Sequence, residues 1–97
     1  MKQLSVFCSR DLSEQVVRVL ADSGVDGFIE LGEATGNRFR EPGAVPRTLT
    51  WEAVGFLVPG AEDGQIDALA EKLKGLAGDC QAGPCLRVTV SRVEQVY

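Results

Sequence analysis

The sequence predicts an α+β two-layer sandwich whose elements run in the order β-α-β-β-α-β. Three observations carry this. Four runs are alternating or rich in β-branched residues, two segments repeat apolar residues at helical spacing, and turns bearing glycine or proline separate them. The 97 residues suffice for a single domain, 1–97, with one modest core.

The first strand covers residues 2–9, where Leu4, Val6 and Cys8 alternate with Gln3, Ser5 and Phe7. Asp11 then stands as an N-cap, with Glu14 three residues on completing a capping box. The helix that follows carries Leu12, Val16, Val19 and Leu20 on one face, and Gly24 supplies a left-handed stop. "GFIEL", residues 27–31, reads as the second strand.

Residues 32–47 hold three glycines and two prolines among charged residues and read as a long connection. Connections of that length in compact domains are usually functional or mobile. "TLTWEAVGFLV", residues 48–58, is the longest strand, closed by Pro59-Gly60. Ile66, Leu69, Ala70, Leu73 and Leu76 then mark a helix over 62–77, with Asp67, Glu71, Lys72 and Lys74 on its solvated face. After the turn "GDCQAGPC", residues 86–93 form the fourth strand, with Val88 and Val90 opposed to Arg87, Thr89 and Ser91.

Right-handed crossovers place strands one and three in the centre of the sheet, with two and four beside them. This is a ferredoxin-like sandwich: a four-stranded antiparallel sheet with two helices on one face. The third strand has apolar residues on both sides: Trp51, Ala53, Gly55 and Leu57 against Val54, Phe56 and Val58. A sheet apolar on both faces but covered on one predicts self-association. Whichever of Val54 or Phe56 faces away from the helices is expected to carry that contact. Trp51 and Phe56 are read as packing residues.

A net charge of −4 argues against nucleic-acid and anionic-lipid binding, both of which need a basic face. No apolar run approaches the length of a membrane span, and the first residues are too soon charged for a signal peptide. The expected location is cytoplasmic. Enzyme chemistry is not expected, because the chain has no histidine, no recognisable nucleophile motif and no spaced carboxylate pair.

Three segments carry a family resemblance. "ADSGVDGFIE" resembles the entry into the second strand of PII-type signalling proteins. "TWEAVGFLVPGAEDGQIDALAEKL" resembles their third strand and second helix, and "VTVSRVEQV" is similar to the PII strand ending V-S-P-V-E-Q-V. In order and spacing they span nearly the whole chain. The resemblance implies a non-enzymatic regulatory homotrimer with inward-facing sheets. It implies no cofactor, but a small anionic ligand at subunit clefts, an adenine nucleotide such as ATP, ADP or AMP. It also implies a partner such as a membrane transporter or a metabolic enzyme.

On that register Arg87 falls where the family carries a phosphate-binding lysine, and a guanidinium can hold phosphate through a bidentate fork. Thr35, Gly36 and Asn37 correspond to the loop base that lines the family's nucleotide cleft. Arg38, Arg40 and Arg47 concentrate positive charge on residues 32–47, as a partner- or anion-binding loop or as a solvated charged loop. The pattern departs from the family in three places. Pro84-Cys85-Leu86 replaces phosphate-cradling glycines, residues 32–47 contain no tyrosine for uridylylation, and the sequence stops at Tyr97 short of the family's basic tail. The chain is therefore read as a divergent PII-like protein, without nitrogen control.

Cys80 and Cys85 leave three readings open: two thiols with no joint role, a reversible disulfide, or a soft metal site. They support an alternative function, a metal- or redox-responsive PII-like module without nucleotide. Cys8, on a strand beside Val6, is read as a small buried hydrophobe.

Overall fold

The computed structural model describes residues 1–39, 48–76 and 86–97, with the backbone course alone for 33–39 and 48–51. Strand β1 (Lys2–Ser9) leads through a 3-10 turn (Arg10–Leu12) into helix α1 (Ser13–Asp22). Strands β2 (Ile29–Phe39) and β3 (Thr48–Ala61) follow, then helix α2 (Asp63–Gly75) and strand β4 (Leu86–Arg92). The sheet order is β2-β3-β1-β4 and every neighbouring pair is antiparallel. This is the predicted sandwich, with strands one and three at the centre.

Alternation decides what each strand buries. Leu4, Val6 and Cys8 of β1 stand opposite Val58, Phe56 and Val54 of β3, and all six are buried. Val16 and Leu20 of α1 close on this layer, as do Ile66, Leu69, Ala70 and Leu73 of α2. Their i, i+3 and i+4 spacing puts each set on one helix face. Phe28, just before β2, meets Phe56 edge-on, with ring centroids 5.8 Å apart. Lys2 at the start of β1 donates to Asp67 of α2 at 2.9 Å, an exposed pair that adds little to this packing.

The start of α1 differs from the capping box expected at Asp11 and Glu14. "RDL" closes a 3-10 turn first, so the α-helix begins at Ser13 with no side-chain cap bond at either start. Ser13 Oγ instead donates to the Arg10 carbonyl at 2.8 Å. At the other end Gly24 adopts φ +83°, the left-handed stop expected of it. Ser23 Oγ adds a 2.6 Å bond to the Leu20 carbonyl.

The second strand is longer than predicted, and the connection correspondingly shorter. β2 starts at Ile29 rather than Gly27 and continues through Gly32 to Phe39, paired with β3 from Leu57 back to Thr48. Residues 32–39 are thus strand, not loop. A register shift between Leu31 and Glu33 absorbs Gly32 as an irregularity in the ladder. Cross-strand hydrogen bonding to β3 overrides the weak strand propensity of glycine and charged residues here. β1 ends at Ser9 opposite Ala53, so the outer part of the β2–β3 hairpin runs past the end of β1.

Candidate functional site

The two faces of the sheet differ in what covers them. Both helices lie against the face of Val54, Phe56 and Val58. Neither Val54 nor Phe56 therefore faces away from the helices, and the expected role of either in an intersubunit contact is corrected. Register places Phe7, Ile29, Leu31, Gly55 and Leu57 on the opposite, open face. Phe7 is 39% exposed, and Ile29 and Leu31 are 49% exposed, which is unusual for large apolar groups lying side by side.

The β1–β4 half of that open face is polar. Arg87 stands directly opposite Phe7, and Thr89 opposite Ser5, with the two hydroxyls hydrogen-bonded to each other. Gln3 and Ser91 complete the pairing. An apolar strip therefore borders a hydroxyl-bearing one, with exposed Arg87 at their junction. Alternation along β4 separates Arg87, Thr89 and Ser91 from Val88 and Val90, and the packing of Val88 against the core turns the first set to this face.

The other residues expected at a ligand site lie elsewhere on the sheet. Thr35, Gly36 and Asn37 belong to β2, opposite Glu52, Trp51 and Thr50, and Arg38 is opposite Leu49. Arg87 is on β4, at the other edge of the sheet. Three strand spacings separate the two groups, about 14 Å at 4.8 Å each. One copy of the chain does not bring them together. Arg40, Arg47, Cys80 and Cys85 lie outside the described residues, as does the side chain of Trp51.

Cys8 is fully buried, and desolvation pushes its thiol up to about 11. A thiol so held is a poor nucleophile and a poor metal ligand, as its strand position had suggested. Among the described residues no group of three or more His, Cys, Asp or Glu side chains could hold a metal ion. No described helix is long and apolar enough to cross a membrane.

Sequence reasoning missed one concavity. A cleft of about 500 Å³ opens where the α1–β2 and β3–α2 connections meet, lined by Gly24, Asp26, Gly60, Glu62 and Gln65 among others. Gln65 Nε2 donates to the Gly24 carbonyl at 3.2 Å and ties the two connections together. Beside it the Met1 ammonium reaches Asp63 at 2.8 Å, and this hydrogen bond holds the exposed Asp63 carboxyl below its usual range. The sequence signal was Gly24 alone, which marks the end of α1; Pro59-Gly60, expected to close β3, lies within it, because the strand continues to Ala61. Nothing in the sequence shows that the two connections adjoin.

A comparison with protein-family models finds no match for this chain, and a comparison with curated proteins finds none either.

Proposed function

We propose that the chain is a non-enzymatic, PII-like regulatory subunit that assembles as a homotrimer through the open face of its sheet. In this reading it binds a small anionic ligand, an adenine nucleotide, at clefts between copies. It signals through the β2–β3 hairpin and residues 40–47 to a partner such as a transporter or metabolic enzyme. The observation that carries the proposal is the one-sided sandwich: helices cover one sheet face, while Phe7, Ile29, Leu31 and Leu57 sit together on the other.

Phe7, Ile29 and Leu31, large apolar side chains left exposed together on one face, form the kind of contiguous patch that marks a contact. A stable interface buries roughly 800 Å² on each partner, so the strip forms its centre and the polar residues of β1 and β4 its rim. Arg87 lies on that rim. A cleft between copies is also where Arg87 and the distant Thr35, Gly36 and Asn37 can converge, because one copy keeps them on separate strands.

Light scattering and a thermal-shift screen on reduced protein test this together. A trimer stabilised by adenine nucleotides is expected, since a ligand selective for the native state raises the melting temperature. A monomer at concentrations on the order of tens of micromolar overturns the assembly. A trimer indifferent to nucleotides but stabilised by thiophilic metal ions replaces the ligand with the metal- or redox-responsive alternative built on Cys80 and Cys85.

A further inference from the structure

We draw no further inference here: the strongest candidate, the apolar surface patch of Phe7, Ile29, Leu31 and Leu57 on the open face of the sheet, already underlies the assembly proposed above, and nothing in the structure shows what covers it.

Discussion

The ring of Phe7 fills the space above Gly55, its register partner on β3: a Cβ at Gly55 would lie 2.7 Å from Phe7 Cε1 and 3.3 Å from Leu31 Cβ. Glycine here admits an aromatic ring across the strand pair, which packs against the backbone where a side chain would otherwise stand. Gly55→Val is expected to displace the ring and destabilise the fold by about 1–3 kcal/mol. Urea unfolding of Gly55→Val, Phe7→Ala and the double variant measures the coupling. The penalty should shrink when Phe7 is already absent. Strict additivity would show that the ring and the glycine are independent.

Opposite faces of the same strand should answer differently to a buried charge. Leu57→Glu, on the open face, is expected to keep the circular dichroism spectrum and lower the oligomeric mass. Val54→Glu points a carboxylate at the helices from a site only 8% exposed, and is expected to unfold the chain at a cost of several kcal/mol. Light scattering and thermal melts on both variants separate assembly from folding. An unchanged mass for a folded Leu57→Glu protein would remove the open face from the contact.

Cys8 gives a signature at alkaline pH. Its folded pKa of about 11 lies above the unfolded value of 9.0, so the native state keeps a proton that the unfolded chain releases. The neutral thiol therefore contributes fully below pH 9, and its contribution is lost as pH rises towards 11. Two units correspond to about 2.7 kcal/mol, an order-of-magnitude ceiling. Urea midpoints from pH 8 to 11 should fall more steeply for the native sequence than for Cys8→Val. Parallel curves would mean that Cys8 does not titrate with unfolding.

In the proposed function, nucleotide recognition rests on Arg87. Arg87→Ala changes an exposed side chain at the sheet edge, so the melting temperature without ligand should hardly move. Loss of a charge-assisted hydrogen bond worth roughly 1.5–3 kcal/mol should weaken nucleotide binding on the order of ten- to a hundredfold. Calorimetry decides. An affinity equal to that of the native protein would leave Arg87 as a surface residue.

Local pattern was enough for most of the architecture. Leu4, Val6 and Cys8 alternate, and Ile66, Leu69, Ala70 and Leu73 recur at helical spacing, because each periodicity records one buried face. Those faces, with the right-handed crossover, determined the element order and the central place of strands one and three. The structure decided what depends on residues distant in sequence. Residues 32–39 look like loop by composition and become strand because β3 offers them a ladder. Alternation in β3 separated Leu57 from Val54 and Phe56, but only helix packing decided that the latter pair turns inward. The same alternation separated Arg87 from Val88, and only the packing of Val88 against the core decided that Arg87 faces the open side. Its distance from Thr35, Gly36 and Asn37 follows from the strand order, which no single segment contains: pairing across the sheet, and not spacing along the chain, determines which residues can share a ligand.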